Sequence, residues 1–78
     1  MKHFYKIDVH GRHGYSFLVA TREQDERSIL EAALEKHLFD AEEDIHYASS
    51  EEVEEDDYDY IGLRDTLTDL DAPISEPA

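Results

Sequence analysis

The chain has 78 residues, 40% of them hydrophobic and 10% aromatic, no cysteine, and a formal net charge of −14. That length allows one domain with a small core. The missing cysteine excludes a disulfide framework, a thiolate nucleophile and a cysteine-based zinc site, and the shortage of Lys and Arg argues against a direct grip on phosphates.

Residues 3–10 alternate, with Tyr5, Ile7 and Val9 on one side and Lys6, Asp8 and His10 on the other, which predicts a half-buried strand. His10-Gly11-Arg12-His13-Gly14 supplies a tight loop through its glycines. Tyr15–Ala20 predicts a second strand. Tyr15, Phe17 and Val19 share one face, and Leu18 and Ala20 on the other imply cover on both sides. Thr21-Arg22-Glu23-Gln24 fits a capping box. Glu23, Asp25 and Glu26 suit the first turn of the helix it opens, and Lys36 and His37 suit the negative end of the dipole. Ile29, Leu30, Ala33, Leu34, His37 and Leu38 make the apolar stripe of a helix over residues 22–38, lying across the hairpin.

Asp44–Ser50 alternates again and predicts a third strand. Tyr58, Tyr60 and Ile61 predict a fourth, paired with the third around an acidic turn or bulge and ended by Gly62. Leu63, Leu67 and Leu70 have helical spacing and predict a short C-terminal helix. Residues 72–78, with Pro73 and Pro77, read as a flexible tail on a single domain of residues 1–71. The expected architecture is α+β: an antiparallel sheet of three to four strands (N-terminal β-hairpin, then helix, then one or two strands) with one main helix packed on one face.

Charge is divided along the chain. Residues 1–36 carry six basic and six acidic side chains, whereas residues 37–78 carry fifteen acids against Arg64 alone. Such asymmetry concerns partners and solubility rather than fold. The N-terminus lacks the apolar run of a signal peptide, and no stretch approaches the roughly 20 apolar residues of a membrane span. The expectation is a soluble cytoplasmic protein without membrane contact.

The acids concentrate between Asp40 and Asp59, a stretch with no Lys or Arg. Ile45, Tyr47, Val53 and Tyr58 interleave with them, and these are strand-forming types rather than those of a solvated tail. On an extended strand successive residues rise about 3.3 Å, near the roughly 3.4 Å spacing of phosphates along one DNA strand. Carboxylates fixed at that pitch would imitate a phosphate row. The candidate partner-binding residues are Glu43, Asp44, Glu51, Glu52, Glu54, Glu55, Asp56, Asp57, Tyr58, Asp59 and Tyr60, the tyrosines serving as core residues or as interface anchors. The plain alternative is a solubilising acidic loop.

Other chemistries fit poorly. Asp57-Tyr58-Asp59-Tyr60-Ile61-Gly62 matches the first, third and sixth positions of a calcium loop, but Ile61 stands at the fifth and Thr68 at the twelfth. His10 and His13 flank the hairpin turn without a second ligand pair, and His3, His37 and His46 are scattered. Carboxylates do acid–base work only where burial or a neighbour separates their pKa values, and so short a chain has little room for such a pocket. Ser49-Ser50 lacks any nucleophile elbow. No catalytic residue, metal site or cofactor is expected.

In its size, its lack of cysteine, its hairpin–helix–strand order and the charge of Asp40 to Asp59, the chain resembles the small acidic proteins of phages and mobile elements. These include anti-CRISPR proteins and DNA-mimicking inhibitors of host nucleic-acid enzymes. The resemblance is one of class and carries over no catalytic residues. It implies a non-catalytic inhibitor in a bacterial host cell, binding a basic protein surface of a nucleic-acid enzyme or CRISPR-Cas complex and blocking DNA or RNA access, with no direct nucleic-acid contact. The second expectation is a small structural or accessory subunit, homodimeric through its sheet edge or C-terminal leucines, whose acids only confer solubility.

Overall fold

The computed structural model describes residues 2–11 and 14–71. Strand β1 (His3–Val9) turns back into β2 (Tyr15–Thr21), followed by helix α1 (Glu26–Glu35) and a 3₁₀ turn (Glu42–Tyr47). Strand β3 (Ala48–Val53), helix α2 (Tyr58–Leu63), a second 3₁₀ turn (Arg64–Thr66) and the short β4 (Thr68–Asp69) complete the chain. The four strands form one sheet in the order β3-β1-β2-β4. β1 pairs antiparallel with β2 and β3, while β4 pairs parallel with β2. The class is α+β as expected, but the sheet is mixed rather than purely antiparallel. β3 and β4 both run parallel to β2, so the segment joining them is a crossover, and a crossover needs a connection that spans a face of the sheet.

The hairpin register, His3 opposite Thr21 through Val9 opposite Tyr15, puts Tyr5, Ile7, Val9, Phe17 and Val19 on one face. Ile29, Leu30 and Ala33 of α1 pack there, joined by Phe39 and Leu70. The Phe39 ring meets Phe17 edge-on, with centroids 5.6 Å apart. On the other face Leu18, Ala20 and Val53 are also buried. α2 closes this side: Tyr60 meets Phe4 edge-on at 5.2 Å, and Lys6 Nζ lies 3.3 Å from Asp59. Each face of the sheet therefore carries a helix.

Several boundaries differ from the sequence expectation. The third strand begins at Ala48 rather than Asp44, because β1 offers no partner beyond Val9, the residue opposite Ala48. One further bond, from His10 N–H to the Tyr47 carbonyl at 2.8 Å, ends the ladder. Residues Tyr58 to Ile61, expected as a strand, are helical. Strand propensity there yields to the need to cross the sheet within a short connection. The expected C-terminal helix does not form past Leu63: Leu70 donates its N–H to the Ala20 carbonyl at 2.8 Å and joins the core. Residues 72–78, expected as a tail, lie outside the described residues, as do Arg12 and His13 of the hairpin loop.

The limits of α1 also move. Asp25 is the N-cap, accepting from Ser28 N–H at 3.1 Å. Thr21, expected to cap, is instead a buried residue of β2 whose hydroxyl donates to Asp71 at 2.8 Å. Arg22 N–H donates to the second oxygen of the same carboxylate at 2.8 Å, so Asp71 pins the segment after β4 to the end of β2. At the other end α1 stops at Glu35, and His37 takes a left-handed conformation with φ 59°. His37 N–H bonds to the Leu34 carbonyl at 3.0 Å and Leu38 N–H to the Ala33 carbonyl at 3.1 Å, a Schellman motif. Among the described residues no helix is long and apolar enough to cross a membrane.

Two stability changes follow from this packing and are measurable by urea unfolding. Leu18→Ala, which opens a cavity under α2, is expected to cost about 3 kcal/mol. His37→Gly removes a side chain from a left-handed position and is expected to stabilise by about 0.5–1 kcal/mol.

Candidate acidic interface

The residues expected to meet a partner fall into four groups. Glu43 and Asp44 lie on the first 3₁₀ turn, beside the hairpin loop. Asp44 accepts the Tyr15 hydroxyl at 2.7 Å, and the same hydroxyl oxygen accepts Asp40 N–H at 2.9 Å. Asp44 is thus a fixture of the fold, whereas Glu43 is exposed. Together with Asp40, His10 and the exposed Tyr47 they line a groove of about 530 Å³.

Glu51 and Glu52 lie on β3, where successive side chains point to opposite faces. Glu51 shares the α2 face with its cross-strand neighbour Lys6. Glu52 takes the α1 face, where His3 Nδ1 is 2.9 Å from its carboxylate. His3 Nε2 is 3.3 Å from the Gln24 amide nitrogen, so a neutral ring protonated on Nδ1 satisfies both neighbours.

Glu54 to Asp57 form the turn between β3 and α2. Asp57 N–H donates to the Glu54 carbonyl at 3.0 Å, and Glu54 N–H donates to the Asp57 carboxylate at 2.8 Å. Asp57 therefore closes the turn from within, leaving Glu54, Glu55 and Asp56 pointing into solvent. In α2, Asp59 pairs with Lys6 and Tyr60 packs on Phe4, so both hold the helix to the sheet. Tyr58 is 95% exposed.

Of the expected residues, Glu52, Glu54, Glu55 and Asp56 come together, lining a depression of about 580 Å³ with Lys2 and His3. Glu43 and Asp44 lie at the other end of β1, about 17 Å away at strand rise. A single phosphate-like row is not formed, because β3 ends at Val53 and the acids after it occupy a turn and a helix. Sequence reading missed Lys6, which gathers Asp8 at 3.5 Å and Asp59 at 3.3 Å. Its signal was a lone lysine on the side of β1 opposite the apolar residues. The calcium-loop pattern is not realised, since Asp57 faces its own turn and Asp59 faces Lys6. Among the described residues no group of three or more His, Asp or Glu could hold a metal ion.

Burial, and then the hydrogen bond to Asp44, raise the Tyr15 phenol above its ordinary value. Burial, followed by the negative charges of Glu52 and Glu23, does the same for Tyr5. For Lys6 burial alone would lower the ammonium, but hydrogen bonding to Asp59 and the charges of Asp8 and Asp59 outweigh it and the net shift is upward. These perturbed groups are tied to the fold. Comparison with protein-family models, curated proteins and solved structures yields no match.

The Tyr15 phenol holds its proton more tightly folded than unfolded, so its contribution is full below about pH 10 and is lost as pH rises through the folded value. Tyr15→Phe should cost about 1.5–3 kcal/mol at neutral pH, through loss of a hydrogen bond to a charged group. It should also make the alkaline decline in stability shallower, read from urea midpoints between about pH 8 and pH 11.

Proposed function

We propose that this protein is a non-catalytic inhibitor that presents an acidic surface to a basic nucleic-acid-binding site, on a host enzyme or CRISPR-Cas effector, and blocks DNA or RNA access in the bacterial cytoplasm. The observation that carries this reading is the β3–α2 turn. Its backbone is fixed by Asp57, and it projects Glu54, Glu55 and Asp56 outward beside the exposed Glu51. None of these four carboxylates makes an ion pair among the described residues. Charges carried on a backbone that is already fixed cost little backbone freedom on binding, and a field of one sign steers an oppositely charged partner. Occlusion in this reading comes from ordered charge at a corner of the fold, without a straight row at phosphate pitch.

The accessory-subunit reading draws less support because the surfaces it would use are partly occupied. On the open edge of β3, Ala48 N–H is taken by the Ile45 carbonyl and Ser50 N–H by the Glu26 carboxylate at 3.1 Å. Of the C-terminal leucines, Leu70 is buried in the chain's own core and Leu63 is half-buried, while Leu67 is exposed. An edge with two of its donors already taken is a poorer template for strand addition.

The test is a charge-reversed variant, Glu51→Lys, Glu54→Lys, Glu55→Lys and Asp56→Lys, with Asp57 kept because it closes the turn. Bacterial lysate is passed over both proteins at low and high salt, and any captured enzyme is assayed for DNA binding. The wild-type chain should capture a basic nucleic-acid enzyme, lose it in high salt and compete with DNA for it; the variant should bind at least about tenfold more weakly. Capture indifferent to salt, to DNA and to the reversal would overturn the proposal.

A further inference from the structure

The α2 helix is fastened to the sheet by Tyr60 and Asp59, so its outward residues are under no packing demand. Tyr58 and Ile61 nevertheless occupy that side, 95% and 57% exposed. They are three apart in sequence, which makes them neighbours on one helix face. Glu55 and Asp56 of the turn lie ahead of this pair, separated from Tyr58 by Asp57, and Arg64, a further three residues on, closes its other end. The result is an apolar centre with carboxylates at one end, the arrangement in which a central aromatic does most of the binding and polar groups exclude water around it.

We infer that the outer face of α2, centred on Tyr58 and Ile61, docks into an apolar spot on a basic partner protein, with Lys and Arg on the side that meets Glu55 and Asp56. This rests on the basic-partner reading above and adds the contact that gives it affinity beyond charge. Charge complementarity selects the occupant. A second copy of the chain would set Glu54, Glu55 and Asp56 against their equivalents in a molecule of net charge −14. Nucleic acid and anionic lipid are repelled for the same reason. A basic protein surface gains from both the rim and the centre. Tyr60, expected as an anchor for the partner, is spent on Phe4, and Ile61, expected within a strand, takes that place.

The test uses two synthetic helical peptides of equal arginine content as probes. One carries a leucine stripe at helical spacing, and the other has alanine at those positions. Each is titrated into the isotope-labelled full chain and into a Tyr58→Ser/Ile61→Ser double variant, followed by amide chemical shifts. The leucine peptide should bind the wild-type chain at least about tenfold more tightly than the alanine peptide, shifting Tyr58, Ile61 and the Glu54–Asp56 amides, and the double variant should lose that gain. Retention of the native amide spectrum elsewhere shows that the variant is folded, as expected with Tyr60 and Asp59 untouched. Equal affinities for the two peptides, or a gain that survives in the double variant, would overturn the docking face while leaving the basic-partner reading standing. Binding of neither peptide at low salt would overturn both. Concentration-dependent shifts at Tyr58 and Ile61 without peptide would assign the face to a second copy and overturn the inference.

Discussion

β3 and β4 lie at opposite edges of the sheet and run in the same direction, so the chain between them must cross one whole face. Most of the second half of the molecule follows from that constraint. The crossing segment has to leave the end of β3, clear the sheet and reach the far edge. It does so through a tight acidic turn, a short helix and a 3₁₀ turn. In passing it covers Leu18 and Ala20, which would otherwise expose an apolar strip on a central strand. The turn is thereby lifted to a corner of the fold, and the carboxylates of Glu54, Glu55 and Asp56 point into solvent.

The charge division of the sequence is partly folded back on itself. Lys2 pairs with Asp69, His3 bonds to Glu52, and Lys6 pairs with Asp59. Each contact joins the neutral first half to the acidic second half. Bases near the start of the chain thus act as ties for the crossover and the edges. Lys2 and Lys6 are thereby committed to Asp69 and Asp59. Glu51, Glu54, Glu55 and Asp56 are left without an ion pair among the described residues, a charge concentrated by position rather than by number. Acids that the fold needs and acids that it merely displays are therefore separable. The carboxylates of Asp44, Asp57, Asp59 and Asp71 carry hydrogen bonds or ion pairs that define turns and edges, whereas those of the other group make no ion pair among the described residues.

Aromatic residues sort in the same way. Tyr5 sends its hydroxyl to the Glu23 carbonyl at 3.0 Å, and Tyr15 bridges Asp40 and Asp44. Tyr60 packs on Phe4. Tyr47 and Tyr58 alone among the tyrosines are exposed, one at each end of the sheet. Their different fates reflect which side of their own backbone faces the sheet, and composition has no bearing on it.

The sequence by itself determined the hairpin, with its alternating faces and the two-sided burial of Leu18 and Ala20, and the apolar stripe of α1. These depend on local periodicity, which a strand or a helix imposes wherever it lies. It also located the acidic stretch and its interleaved aromatics. Tertiary structure alone decided the rest. Strand β3 starts where β1 can pair with it, and not where alternation begins. Tyr58–Ile61 is a helix because a crossover leaves no strand for it to join. β4 is parallel because the chain arrives from the far edge. The division of eleven candidate residues into ties, turn-closers and exposed groups depends on which side chains meet across long sequence separations. Periodicity holds no information about such meetings, because they are set by the path of the chain between its strands.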